Sequence, residues 1–185
     1  GGAIETGTSD QVDPIVQVLD QDYSIDANVW ENRGYWGSGQ TFQRWHITSD
    51  AFYGPSFPGL DEILDDADFT TGRPFQYSAA LHGFSGSAPG VVVGGDSDLD
   101  EKCYVVDRIQ SRMGSRAGEV AFYVFDSSND AANDVSVADS TGRELDRDDV
   151  DHLRGLDNDN IVNRLSPNPN AQPGFGAFQL EQSKG

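Results

Sequence analysis

The stretch Lys102–Asp126, KCYVVDRIQSRMGSRAGEVAFYVFD, decides how this chain is read. Tyr104, Val105, Val106 and Ile109 form one apolar run and Val120 to Phe125 a second, so the segment is predicted to be two strands joined by an arginine-bearing turn. In the second run Val120, Phe122 and Val124 point one way while Ala121, Tyr123 and Phe125 point the other. A strand apolar on both faces needs cover on both. One face is expected in a barrel or sandwich core, the other against a neighbouring subunit or a loop.

Working outward, short alternating runs recur on either side. Ile15–Leu19, Tyr23–Val29, Thr41–Thr48, Phe75–Leu81 and Val91–Val93 read as strands before the hairpin, and Val135–Val137, Ile161–Leu165 and Phe175–Leu180 as strands after it. Leu60, Ile63, Leu64 and Ala67 recur at helical spacing. A second short helix is expected after Asp148, carrying Val150 and Leu153 and stopped by Gly155. The acidic DSDLDE, Asp96–Glu101, reads as a turn. About eight strands with one or two short helices in loops predict an all-β fold, a single antiparallel jelly-roll barrel or sandwich. At 185 residues the chain is expected to be one domain, 1–185, with the small, polar residues 1–13 as an extended arm.

The formal charge is −19, from 31 acidic and 12 basic residues, and the only lysines are Lys102 and Lys184. Such a surface repels itself in dilute buffer. In molar salt the Debye length falls to about 3 Å and the repulsion is screened, so the composition predicts a protein of a high-salt cytoplasm or brine. It also argues against nucleic acid as a partner. The exception is Lys102–Ala117, with Lys102, Arg108, Arg112 and Arg116 against Asp107 alone, a local +3 that leaves −22 for the remainder. This basic tip would be drawn to acidic neighbours, either subunits or phosphate head groups. Cys103 is the only cysteine, so any disulfide must join two chains; otherwise it is a small buried hydrophobe.

No catalytic cluster stands out. His46, His82 and His152 lack zinc-site spacing. In HGFSGS, His82–Ser87, Ser85 lies near glycines, but Gly86 follows it directly and the nucleophile-elbow pattern fails. Asp96, Asp98 and Asp100 alternate like the start of a calcium loop, yet Glu101 stands where that loop needs glycine. They remain a candidate cation loop, with a solvated acidic turn as the preferred reading. No cofactor and no small-molecule substrate are expected. Trp30, Trp36 and Trp45 with Tyr35 and Tyr53 could instead line a sugar-binding groove, which keeps open a secreted carbohydrate-binding jelly-roll module or a glycosidase-like enzyme.

Over its full length, including VQVLDQDYSIDANVW, QTFQRWHIT and KCYVVDRIQSRMG, the chain resembles the smaller major capsid protein of haloarchaeal icosahedral viruses that enclose a lipid membrane. The resemblance implies an upright single jelly-roll barrel that assembles with a larger major capsid protein around the inner viral membrane. It implies a virion component without catalytic residues or metal. Cys103, Arg108, Arg112 and Arg116 become candidates for contacts between subunits. The charge makes its own prediction: circular dichroism should show the fold lost on dialysis from molar salt to dilute buffer, and retention of structure there would count against a halophilic chain.

Overall fold

Five strands and the helices between them are seen in a computed structural model that describes residues 75–185, apart from positions 129, 158, 159, 169, 171 and 185. The expectations for the arm 1–13, the three N-terminal strands, the helix at Leu60–Ala67 and the Trp/Tyr groove lie outside the described residues. The strands are β1 (Tyr77–Gly83), β2 (Pro89–Gly94), β3 (Ala121–Val124), β4 (Val135–Val137) and β5 (Gly176–Lys184). They form one sheet in the order β1-β5-β2-β3-β4. The fold is β-rich, as the sequence predicts. The sheet is mixed rather than antiparallel: β1 pairs with β5 and β2 with β3 in parallel, while β2–β5 and β3–β4 are antiparallel. Among the described residues it is open, with β1 and β4 at its edges.

The first half of the expected hairpin is a helix. Leu99–Met113 forms α1, followed by a 3-10 turn over Gly114–Glu119, and only Ala121–Val124 is strand. The apolar run Tyr104–Val106 favoured a strand, but the longer pattern is helical. Leu99, Cys103, Val106, Ile109 and Met113 repeat at three- and four-residue spacing and pack on Val93, Phe122 and Val124. Tyr104 is left 64% exposed. Asp98 caps the helix by accepting from the Asp100 N–H at 2.9 Å, and Asp100 and Glu101 occupy its first turn. Gly114, at φ +58°, lets the chain leave it. The DSDLDE stretch is therefore the turn after β2 running into the start of α1.

Two further expectations are corrected. Ile161–Leu165 is a one-turn helix, α3, because Asn160 accepts from the Val162 N–H at 3.1 Å and starts a helix where the β-branched pair read as strand. The helix expected after Asp148 is Arg147–Val150 (α2), capped by Asp146 and continued by a 3-10 turn over Asp151–Leu153. Gly155, at φ +59°, ends this region as read.

Helices cover both faces of the sheet. α1 lies on one. On the other, Val150 and Leu153 pack with Val92, Tyr123 and Phe125. Asp134 ties this second layer down, accepting from the Tyr123 hydroxyl (2.9 Å), Arg147 Nε (2.8 Å) and the Asp126 N–H (2.9 Å). Burial, with Asp134 beside it, pushes the Tyr123 phenol up to about 12.

Lys102 is wholly buried between α1 and the sheet. Its ammonium donates to the carbonyls of Gly95 at 2.8 Å and Phe125 at 2.7 Å, joining the segments that leave β2 and β3. Burial lowers its pKa to about 8, although Asp126 and Asp96 oppose the shift. Between pH 8 and 10.5 the unfolded chain holds this proton while the folded chain gives it up, so stability should rise with pH over that window. The rise expected from Lys102 is roughly 3 kcal/mol. Urea unfolding across the window, at constant high salt, checks this: Lys102→Met should remove the rise, and an identical pH slope in both proteins would refute it.

Candidate functional site

Alternation along β5 sets up a polar row on the sheet. Phe178 and Leu180 turn toward α1, so Ala177, Gln179, Glu181 and Ser183 face the α2–α3 side. Gln179, Glu181 and Ser183 are all buried, with Glu181 only 5% exposed. A carboxylate there needs hydrogen bonds to offset lost hydration. Gln179 Nε2 donates to Glu181 Oε1 at 2.9 Å and to the Leu153 carbonyl at 3.3 Å. Gln179 Oε1 accepts from Asn160 Nδ2 at 2.6 Å. Asn160 also caps α3, so the start of that helix orients the amide that holds the carboxylate.

The parallel register of β1 and β5 places His82 opposite Glu181. Ser78, opposite Ala177, donates to the Val162 carbonyl of α3 at 2.6 Å, which identifies the face. His82, four residues further along β1, projects to the same face. Adjacent strands lie about 4.8 Å apart, so imidazole and carboxylate start from neighbouring positions. β1 ends at Gly83, one residue after His82, and the next residues include exposed Ser85, Gly86 and Ser87.

Neighbouring loops close tightly on the row. A Cβ at Gly155 would lie 2.5 Å from Gln179 Oε1, and one at Gly86 would lie 2.6 Å from Ser183 Oγ. Both contacts need glycine, and at Gly155 the positive φ requires it too. Ser183 Oγ also donates to the Ala88 carbonyl at 2.7 Å, anchoring the loop between β1 and β2.

The candidates read from sequence do not gather here. Asp96 accepts from the N–H groups of Asn168 (2.6 Å) and Ala177 (2.8 Å), Asp98 caps α1, and Asp100 is exposed in the first turn. Burial raises the Asp96 pKa, and those two backbone bonds oppose the rise. The three acids thus serve separate local roles, and no group of three metal-ligating side chains occurs among the described residues. Ser85 is on the exposed loop after β1, and His152 is in the 3-10 turn after α2. Cys103 lies in a helix rather than a strand, half-buried against the α1-side core, and burial with Asp100 and Asp107 raises its thiol pKa. Arg108 and Arg112 are exposed on α1, while Arg116, in the following turn, pairs with Glu119 at 3.1 Å.

Sequence reading passed over the His82–Glu181 juxtaposition. His82 read as an ordinary strand residue and Glu181 carried no motif. Alternation in FQLEQS does place Gln179, Glu181 and Ser183 on one face, but only the strand pairing shows what stands beside it.

No family model matches the chain, and no curated protein matches it. A solved structure titled the zinc-free apo form of YndL is similar at 21% identity with a TM-score of 0.41, over 79% of this chain. The match spans about half of that structure's length, 48%. A likeness this distant carries no argument about activity.

Proposed function

We propose that this chain is an enzyme that transfers protons at the His82–Glu181 pair in a hydrolytic reaction. The observation that carries the reading is the placement of a buried, oriented carboxylate directly beside a histidine on one sheet face. Carboxylate and imidazole are the side chains that most often serve as general base and general acid. Glu181, held by Gln179, would take the proton from an attacking water, and His82 would deliver one to the leaving group. Substrate would approach along the exposed Ser85–Ser87 loop, at the C-terminal ends of a parallel strand pair, where open α/β sheets bind ligands.

The test is a screen of the full chain in molar salt against ester, amide and glycosidic substrates. Glu181→Gln and His82→Gln should keep the circular dichroism spectrum and lose on the order of 100-fold or more in rate. A wild-type chain inactive on all three classes, or a Glu181→Gln variant at full rate, would overturn the reading.

A second reading rests on charge: a strongly acidic chain with an arginine strip exposed along one helix. In it the chain is a capsid subunit of a halophilic, membrane-containing icosahedral virus and assembles with a larger acidic capsid protein. Arg108, Arg112, Arg116 and Cys103 would meet neighbouring subunits or the inner membrane. This reading expects the chain to co-purify with particles and a second, larger protein. Its absence from purified virions made by producing cells would remove the reading.

A further inference from the structure

The two ends of an amide side chain are a donor and an acceptor of nearly the same shape, so the groups that face it decide which way it lies. Around Gln179 that decision starts on the main chain. The Val162 N–H, at the start of α3 where helical N–H groups lack a carbonyl of their own, can only donate, and it donates to Asn160 Oδ1 at 3.1 Å. The Asn160 backbone is held as well, its N–H donating to the Asp157 carbonyl and its carbonyl accepting from the Arg164 N–H, both at 3.0 Å. Asn160 must therefore turn Nδ2 toward the sheet, where it donates to Gln179 Oε1 at 2.6 Å. With its oxygen committed there, Gln179 presents Nε2 to the Leu153 carbonyl at 3.3 Å and to Glu181 Oε1 at 2.9 Å. The Leu153 carbonyl can only accept, so main-chain groups at both ends agree on the direction. Asn160, Gln179 and Glu181 are each no more than 6% exposed, and a reversed amide would set oxygen against oxygen with little water to intervene.

We infer that Asn160 is a positioning residue for Glu181, acting through a one-way relay from the Val162 N–H through Asn160 and Gln179. The relay compels Glu181 to offer Oε1 as an acceptor, because a proton on that oxygen would meet the Gln179 N–H head on. A general base acts from its proton-free state, so the catalytic use of the relay rests on the proton-transfer reading, whereas its direction does not. Val162 also serves the other member of the pair. Its carbonyl accepts from the hydroxyl of Ser78 on β1 at 2.6 Å, and β1 carries His82. The N–H and the carbonyl of one residue in α3 thus reference both strands of the site.

Asn160→Asp separates the relay from the helix cap. Aspartate caps as well as asparagine and still accepts from the Val162 N–H, but it has no donor for Gln179, which must reverse and set its oxygen against Glu181. Urea unfolding in molar salt should show the folding equilibrium constant lowered roughly tenfold or more. Adding Glu181→Gln should recover most of that loss, because the amide introduced there can donate to the reversed Gln179. Adding Glu181→Met, which removes the charge and supplies no donor, should not. Equal recovery by both, the mark of charge repulsion alone, or recovery by neither would overturn the inference.

A neutron crystal structure of the wild-type chain checks the direction without any variant. Deuterium belongs on Asn160 Nδ2 toward Gln179 and on Gln179 Nε2 toward Glu181; a reversed amide, or deuterium on Glu181 Oε1, would also overturn it. In the hydrolytic screen Asn160→Asp should lower kcat roughly tenfold or more, and full kcat in this variant of an active chain would strip Asn160 of its positioning role. A wild-type chain without activity removes the hydrolytic reading and leaves unfolding and neutron diffraction to decide the relay.

Discussion

A buried ammonium group fixes the centre of this fold. Lys102 has no contact with solvent, and its charge is held by the carbonyls that follow β2 and β3. An unpaired charge at that depth would be prohibitive, so α1 can dock only where both carbonyls are in reach. The constraint then propagates. Gly95, one of the two acceptors, donates its N–H to the Arg154 carbonyl at 2.9 Å, and Ser97 donates to the Ala177 carbonyl at 3.1 Å. Asp96, between them, accepts from the Ala177 N–H. The turn that Lys102 holds is thus the turn that clamps the start of β5, and β5 carries Glu181 to its place opposite His82.

This chain of contacts separates two kinds of buried polar group. Around Lys102 and Asp96 the partners are backbone groups, around Asp134 they are the Tyr123 hydroxyl, Arg147 and one backbone N–H, and in each case the effect is to lock loops and helices onto the sheet. The Gln179–Glu181 pair differs. The Gln179 amide bonds its carboxylate, a histidine stands opposite on the neighbouring strand, and exposed residues follow that strand closely.

Much of the strand pattern was legible. Val91–Val93 and Val135–Val137 mark real strands because continuous β-branching or alternation agrees with their final burial, whereas Phe75–Leu81 and the run from Phe175 fall on strands whose burial runs against the apolar pattern, with Tyr77 and Phe175 exposed and Gln179, Glu181 and Ser183 buried. The misreading of 99–113 came from weighing Tyr104–Val106 over a full helical stripe whose capping signals, Asp98 at one end and Gly114 at the other, were also present. Ile161–Leu165 failed for a similar reason: Asn160 outweighs the β-branched pair beside it. The parallel pairing of β1 with β5 had no local signature at all. Register is a tertiary property, and with it goes the meeting of His82 and Glu181.

β5 is the last of the described strands along the chain and the second in the sheet, inserted between β1 and β2. Among the described strands, β1 has no other partner. On a ribosome, β1, β2, α1 and β3 therefore emerge well before the strand that joins β1 to β2. Non-local pairing of this kind folds slowly and leaves edges open to association with other chains. A product that stops before Gly176 would lack a strand from the middle of the described sheet rather than from its edge, leaving β1 and β2 with facing edges open to association.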